Sequence, residues 1–226
     1  MSEIPSEIRY EDCFLVFAEK LPGKHKRLVA ASSDLEFNDA FAALVLEAVD
    51  DLERDAKLFS SLSEDQLSAI FVKSINKSSA LIVTREEFTN GHVDLTFRAC
   101  LFQSERRVLG EAKKYKSFSW HSGGVSQLVS RYSTGREGRG LLLVYFTEDK
   151  IKHKMERLRS QMDEKRPCDQ VTDCCDHSAK WSFISKHEHS SGECLEVWHL
   201  GCNLYNASSK PPKPSGEMPA ENPSDE

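Results

Sequence analysis

Six consecutive apolar residues, Leu141 to Phe146, restrict the fold of this chain more than any other feature. Successive side chains of a β-strand point to opposite faces of the sheet, so a strand without a polar face must be covered on both sides. The segments Val125–Tyr132 and Ile151–Met162, on either side of it, repeat apolar residues at helical spacing. The sequence therefore predicts an α/β fold in which helices flank a central sheet.

The N-terminal third alternates turn, cap and apolar signals. Residues 11–31 predict a hairpin, because the apolar runs at 13–17 and 28–30 lie on either side of Pro22 and Gly23. Ser33 has the side chain of a helix cap, and a long amphipathic helix is predicted from there to about Phe59. A second cap pattern at Ser63 predicts a shorter helix.

Two segments then predict an antiparallel hairpin that carries charged residues on one face. In the segment 92–97, Asp94 lies on the polar side of an alternating pattern, and in the segment 107–113, Glu111 and Lys113 share a face. A turn near 103–106 brings Asp94 opposite Glu111 and Lys113. The loop predicted at 120–124 and a last strand pair within 181–200 complete the pattern.

Length and composition favour one domain. With 226 residues and 39% hydrophobic residues, residues 1–206 can form a single core, whereas residues 207–226 hold five of the eight prolines and predict a disordered tail. No apolar run has the length of a membrane helix, and the acidic N-terminus lacks the features of a secretory signal. We therefore expect a cytoplasmic location, and free thiols for the seven cysteines.

The net charge is −6, but the charges are segregated along the chain. Residues 97–139 contain nine Lys or Arg and three acids, so this window carries a net charge of +6. A basic face here would attract phosphates although the whole chain is acidic. The predicted nucleic-acid-binding residues are Lys114, Lys116, Arg131, Arg136 and Arg139. The alternative is a mixed, solvated surface.

The three charged residues of the hairpin suit the hydrolysis of a phosphodiester. Asp94 and Glu111 can hold Mg²⁺ or Mn²⁺, hard ions that prefer oxygen ligands, and the carbonyl of Ala112 is a further ligand. Lys113 can position the attacking water or neutralise the phosphate. The alternative is a cross-strand salt bridge on an exposed face.

An aspartate at one strand followed by Glu-x-Lys on the next, then a helix and a buried strand, closely resembles the PD-(D/E)XK nuclease superfamily. The resemblance covers about residues 36–146. It matches Asp94, Glu111 and Lys113 to the motif, whereas Val93 stands where a proline sometimes occurs.

The resemblance adds two accessory residues. It makes Glu47, on the first long helix, a candidate catalytic residue and metal ligand, although Glu47 could equally be a surface carboxylate. It makes Gln127 similar to a glutamine on the following helix of some members. The tyrosine expected four positions after Gln127 is here Arg131, with Tyr132 next to it.

The resemblance implies a restriction-endonuclease-like core with a mixed central sheet at about residues 36–146. Residues 149–206 add a C-terminal helix and a strand pair to this core. It implies a metal-dependent endonuclease, acting on DNA, of the kind found in small bacterial restriction or phage-defence systems. Because no sequence-reading module is visible, we expect a helicase or ATPase partner subunit, or a homo-oligomer.

Three alternatives stay open at this stage. The chain could be a catalytically inactive module that binds nucleic acid or protein, or an RNase with the same metal site. The segment 168–202 contains five cysteines and four histidines and could hold a structural Zn²⁺, but no CxxC pair occurs. Buried thiols and surface histidines are the commoner outcome for such a segment.

Overall fold

The structure is a computed structural model and describes residues 21–76, 82–88, 92–101 and 104–207. Its helices are α1 (Gly23–Ala30), α2 (Asp34–Arg54), α3 (Ala56–Phe59), α4 (Glu64–Ile75), α5 (Phe118–Ser126), a π-helix (Gln127–Tyr132) and α6 (Ile151–Lys165). Its strands are β1 (Ile82–Phe88), β2 (His92–Leu101), β3 (Ser104–Lys114), β4 (Arg139–Phe146), β5 (Cys175–Asp176), β6 (Ser182–Glu188) and β7 (Cys194–Asn203).

The described strands form one mixed, seven-stranded sheet in the order β1-β2-β3-β4-β7-β6-β5. β1, β2 and β3 are antiparallel neighbours, and β3 then pairs in parallel with β4 after the crossover through α5 and the π-helix. β4 is also parallel to β7, whereas β6 is antiparallel to β7. The fold is therefore α/β, as predicted, and the predicted last strand pair is present as β6 and β7.

Helices cover both faces of the sheet. Leu141, Leu143 and Tyr145 of β4 pack into a core shared with α1, α2 and α4. Leu142, Val144 and Phe146 pack into a second core shared with α5, the π-helix and α6. The uniform apolar character of residues 141–146 reflects these two cores, because every side chain of this segment enters one of them.

Polar caps begin the two long N-terminal helices as predicted. The Ser33 side chain accepts a hydrogen bond from the backbone N–H of Glu36 at the start of α2. At the start of α4, Ser63 and Gln66 form a reciprocal capping box. These bonds satisfy N–H groups that have no partner within the helix, and so fix the first residue of each helix.

The predicted hairpin at residues 11–31 is wrong for its second half. Residues 23–30 form α1, in which His25, Leu28 and Val29 are buried at the spacing of one helix face. Pro22 stands at the N-cap, where its missing N–H costs no intrahelical hydrogen bond. The predicted strand at 13–17 lies outside the described residues, as do residues 208–226 of the predicted tail.

The predicted loop at 120–124 is also wrong, because these residues belong to α5. The Ser117 side chain caps this helix by accepting from the backbone N–H of Trp120. The buried Gly124 brings the helix close to the sheet: a Cβ there would lie 2.8 Å from Leu142 Cδ1. The glycine therefore marks close packing of helix against sheet, and not a turn.

No helix in the described part of the chain combines the length and the apolar character needed to cross a membrane.

Candidate functional site

The register of β2 and β3 brings the predicted charged residues together. Their ladder extends from Leu101 opposite Ser104 to Leu95 opposite Gly110, so Asp94 and Glu111 are the first residues beyond its end. Lys113 follows on the same face of β3 as Glu111. Residues 104–106 of the predicted turn already belong to β3, which begins at Ser104.

Glu111 is completely buried. Lys113 Nζ makes an ion contact with Glu111 Oε1. Burial raises the pKa of Glu111 to about 8, and the nearby charge of Asp94 contributes to the rise, whereas Lys113 opposes it. A buried carboxylate beside a second carboxylate is costly, so a cation that binds both would be favoured here.

Lys113 is surrounded by acids and by one aromatic ring. Its Nζ atom lies 3.9 Å from Glu64 Oε1, and it lies 5.5 Å from the centre of the Trp120 ring. Burial alone would lower the pKa of Lys113, but the contact with Glu111 and the charges of Glu111, Asp94 and Glu64 outweigh it and raise the pKa. Lys113 therefore stays protonated and carries the positive charge of the site.

Glu64 is a site residue that the sequence did not identify. It is the first residue of α4, and its Oε2 accepts a hydrogen bond of 2.6 Å from the backbone N–H of Lys114. Only the packing of α4 against β3 reveals this contact, since the capping pattern at Ser63 predicts the helix but not its neighbour.

Glu47 is placed elsewhere. Its carboxylate pairs with Lys24 of α1 at 2.9 Å, and none of the interactions that the structure gives for Glu111 or Lys113 involves it. Of these two glutamates, Glu64 is the one for which the structure gives a contact with Lys113.

The π-helix aligns Gln127 with Tyr132. Gln127 Nε2 donates a hydrogen bond of 3.0 Å to the Tyr132 hydroxyl. In a π-helix residues five apart face each other, because each backbone bond spans five residues instead of four. Burial raises the pKa of Tyr132, and the charges of Glu111 and Asp94 and a side-chain hydrogen bond with Glu111 raise it further. The tyrosine that the sequence lacks four positions after Gln127 is present five positions after it.

The predicted basic residues divide between two ends of the sheet. Lys114 and Lys116 follow Lys113; Lys114 Nζ donates to the Leu62 carbonyl at 2.9 Å, and Lys116 lies 4.1 Å from the centre of the Trp120 ring. Arg131 is exposed on the π-helix.

Arg136 and Arg139 lie at the other end of the sheet. The β3–β4 register places Arg139 next to Val108, five residues before Lys113 and so about 16 Å away along the strand. The structure therefore does not show a single basic face around the site. Residues 97–139 include the whole of β3, so their basic side chains lie near both ends of that strand.

The residues present fit a hard divalent cation. Asp94 and the buried Glu111 supply two carboxylates, and Ala112, whose side chain packs into the opposite core, supplies the intervening backbone carbonyl. Within the described ranges no group of three or more His, Cys, Asp or Glu is arranged to hold a metal ion. Mg²⁺ is commonly held by one or two carboxylates, with water and phosphate oxygens completing its shell, so two carboxylates are sufficient.

The Cys/His-rich segment contributes to a different structure. Three buried histidines and a serine form a continuous chain of hydrogen bonds. His121 Nε2 lies 2.8 Å from His199 Nδ1, and Ser185 Oγ lies 2.7 Å from both His199 Nε2 and His187 Nε2. His187 Nδ1 ends the chain 2.9 Å from the Cys168 carbonyl. These hydrogen bonds connect α5 to β6 and β7, which lie on the other side of β4 from the strands of the carboxylate site.

Comparison of the chain with known protein families, with curated proteins and with solved structures finds no match.

Proposed function

We propose that this protein is a metal-dependent nuclease that hydrolyses phosphodiester bonds in DNA. The observation that carries the proposal is the completely buried Glu111 carboxylate, which lies beside Asp94 and Lys113. A carboxylate pair with one ammonium group is the combination that metal-assisted phosphoryl chemistry requires.

The sheet topology supports the same proposal. The antiparallel strands β1 to β3, the crossover helix α5 and the parallel strand β4 give the order of elements found in the restriction-endonuclease-like core. The proposal assigns Asp94 of β2 and Glu111 and Lys113 of β3 to the PD-(D/E)XK motif. The hydrogen bond from Gln127 to Tyr132 adds a second point of resemblance, since it joins the glutamine to a tyrosine.

Each side chain has a defined role in this proposal. Asp94, Glu111 and the Ala112 carbonyl would hold Mg²⁺ or Mn²⁺, which polarises water and offsets charge on the phosphate. Lys113, kept protonated by its acidic surroundings, stabilises charge on a phosphate oxygen. Glu64 holds the end of β3 through the Lys114 N–H and so orients Lys113. Trp120, partly exposed over Lys113 and Lys116, offers a face on which a base can stack.

The biological setting belongs to the proposal as well. A bacterial restriction or anti-phage role, a cytoplasmic location and a helicase or ATPase partner or a homo-oligomer agree with a small nuclease that lacks a sequence-reading module.

Cleavage assays test the proposal directly. Purified protein is incubated with supercoiled plasmid, linear duplex, single-stranded DNA and RNA, with Mg²⁺ or with Mn²⁺. The test variants are Glu111→Gln and Lys113→Met, and the matched control is Glu164→Gln, which changes an exposed glutamate of α6. We expect wild type and the control to cut DNA and both test variants to be inactive. A folded Glu111→Gln variant that still cuts would contradict the assignment, and cleavage of RNA alone would favour an RNase.

Calorimetric titration with Mn²⁺ separates the nuclease from a binding module. The proposal expects Mn²⁺ to bind wild type and the Glu164→Gln control, but not Glu111→Gln. Absence of both Mn²⁺ binding and cleavage, with retained binding of DNA, would favour a catalytically inactive binding module on the same fold.

A further inference from the structure

Four arginines line a cleft at the end of the sheet opposite the carboxylate site. The cleft has a volume of about 370 Å³ and is formed by Arg106 and Arg107 of β3, Arg139 at the start of β4, and Arg136 in the preceding loop. Phe37 and Asn38 of α2 form the facing wall. A volume of this order suits a small-molecule ligand or one nucleotide of a longer chain.

Three carboxylates form ion pairs with these guanidinium groups, and the charge of a fourth, Glu36, also acts on Arg106. Arg107 pairs with the buried Glu137 at 3.6 Å. Arg106 pairs with Asp34 at 3.3 Å, and Arg139 pairs with Glu196 at 2.7 Å. Arg136 is exposed, and no ion pair is formed by it within the described residues. Among the described residues, no acid therefore has to leave Arg136 before an anion can bind it.

The paired acids differ in how firmly hydrogen bonds and burial hold them beside their arginines. Glu137 accepts hydrogen bonds from the backbone N–H and the hydroxyl of Thr134, at 2.9 and 3.1 Å, and is fixed in the loop. The Asp34 side chain, in contrast, is 90% exposed, so solvent and salt screen its pair with Arg106. A multiply charged anion can therefore replace Asp34 at Arg106 more readily than it can replace Glu137 at Arg107.

Donors in the cleft also remain available. A guanidinium has five N–H donors, and the hydrogen bond that the structure gives for Arg139 uses Nη2, which donates to Glu196. Arg106 Cζ lies 5.2 Å from the centre of the Phe37 ring, and Arg106 Nη1 donates a hydrogen bond of 3.3 Å to the Ala31 carbonyl. A planar guanidinium that is already held in position binds two phosphate oxygens at once, through two parallel N–H···O hydrogen bonds.

We infer that this arginine cleft is a second binding site, for the phosphate group of a nucleotide or of a nucleic-acid strand. It is separate from the carboxylate site, because Arg139 begins β4 about 16 Å along the strands from Lys113. The inference does not depend on hydrolysis at that site, since it rests on Arg106, Arg136 and Arg139 alone.

Binding measured in EDTA tests the cleft without any metal at the carboxylates. The probes are a short fluorescent single-stranded oligonucleotide, adenosine monophosphate and inorganic phosphate, with wild type, Arg136→Glu and the matched control Arg157→Glu. Arg136 and Arg157 are both exposed, and Arg157 lies on α6, away from the cleft. Circular dichroism verifies that each variant is folded.

We expect Arg136→Glu to weaken binding of at least one phosphate probe by about tenfold or more, and Arg157→Glu to change it little. With the oligonucleotide, Arg136→Ala should also lower the slope of log K against log salt by about 0.7. An Arg136 effect on adenosine monophosphate or phosphate identifies a free ligand, whereas an effect confined to the oligonucleotide identifies a strand. Equal effects of Arg136→Glu and Arg157→Glu, or no binding of any probe to wild type, would overturn the inference whatever the cleavage assays give.

Discussion

His121 donates the proton on its Nε2 to Nδ1 of His199 across 2.8 Å, and both rings are buried. The direction follows from the other end of the chain. The Cys168 carbonyl can only accept, so His187 donates to it from Nδ1 and must accept at Nε2 from the Ser185 hydroxyl. Ser185 then accepts from His199 Nε2, which leaves His199 Nδ1 as an acceptor. One tautomer of each neutral histidine satisfies the whole chain.

The buried chain of hydrogen bonds through these three histidines predicts that the folded protein loses stability in mild acid. Burial lowers the pKa of His121 to about 3, and it lowers the pKa of His187 and of His199 too, so the unfolded chain binds more protons than the folded protein below the ordinary histidine value of 6.5. The stabilisation is complete above that value and is lost as the pH falls toward 3. Each histidine contributes a slope of about 1.4 kcal/mol per pH unit within its window.

Urea unfolding at a series of pH values measures that slope. The variant His121→Phe should be less stable than wild type at neutral pH by about 1–3 kcal/mol, because His199 Nδ1 loses its donor. Its stability should also fall less steeply with acid. His153→Gln, which changes an exposed histidine of α6, should leave the slope as it is in wild type. If the free energy of unfolding changed equally with pH in all three proteins, the buried histidines would not be the source of the acid sensitivity.

Adjacent glycines of α5 should respond in opposite ways to alanine. A Cβ at Gly124 would lie 2.8 Å from Leu142 Cδ1 and 3.5 Å from Glu111 Cγ, whereas a Cβ at Gly123 meets nothing within 4 Å. Gly124→Ala should therefore destabilise the protein by about 1–3 kcal/mol. Gly123→Ala should stabilise it by about 0.5–1 kcal/mol through helix propensity. Thermal unfolding of both variants checks this, and a Gly124→Ala variant as stable as Gly123→Ala would contradict the close packing.

Metal binding should release a proton from Glu111. Its pKa is raised to about 8, so below that pH the metal must displace a proton, and apparent affinity for Mn²⁺ should rise about tenfold per pH unit up to that value. The proton-linked stability of the metal-free fold has the opposite sign: it is present below the ordinary value of 4.5 and is lost as the pH rises through 8. Calorimetry in buffers of different ionisation enthalpy counts the released protons. No pH dependence of Mn²⁺ affinity in this range would contradict the prediction.

Glu64 and Glu47 form a matched pair for the activity of the site. Glu64 contacts the ammonium of Lys113 and the N–H of Lys114, whereas Glu47 pairs with Lys24. Glu64→Gln keeps a side-chain acceptor but removes the charge, and should lower Mg²⁺-dependent cleavage about 10- to 100-fold, as changes next to a metal site do. Glu47→Gln should have little effect. The reverse order in initial-rate assays would restore Glu47 as the functional residue.

The sequence predicted the parts of the site that local periodicity determines. Strand alternation places Glu111 and Lys113 on one face, and the lengths of the two strands fix Asp94 opposite Glu111, so three residues could be found without knowing the rest of the fold. The central position of residues 141–146 followed in the same way from a strand without a polar face.

Contacts between distant segments were beyond the sequence. Whether Glu47 or Glu64 reaches Lys113 depends on how the helices pack on the sheet, and no periodicity encodes that choice. The helix α1 escaped prediction because only three buried side chains mark its face within a basic segment. The separation of Arg139 from Lys113 likewise becomes visible only once β3 and β4 are paired in parallel.

The π-helix at Gln127–Tyr132 changes the angle by which successive side chains rotate around the axis of the helical segment that precedes β4. An α-helix rotates by about 100° per residue, so five residues would leave the two side chains well apart in angle around its axis. The wider turn cancels this difference and lets one helix present Gln127 and Tyr132 as a single unit. An α-helical turn with the same five-residue spacing would turn Tyr132 away while leaving its identity unchanged. In this protein, the spacing of two residues along the chain, and not only their type, thus decides which side chains the carboxylates meet.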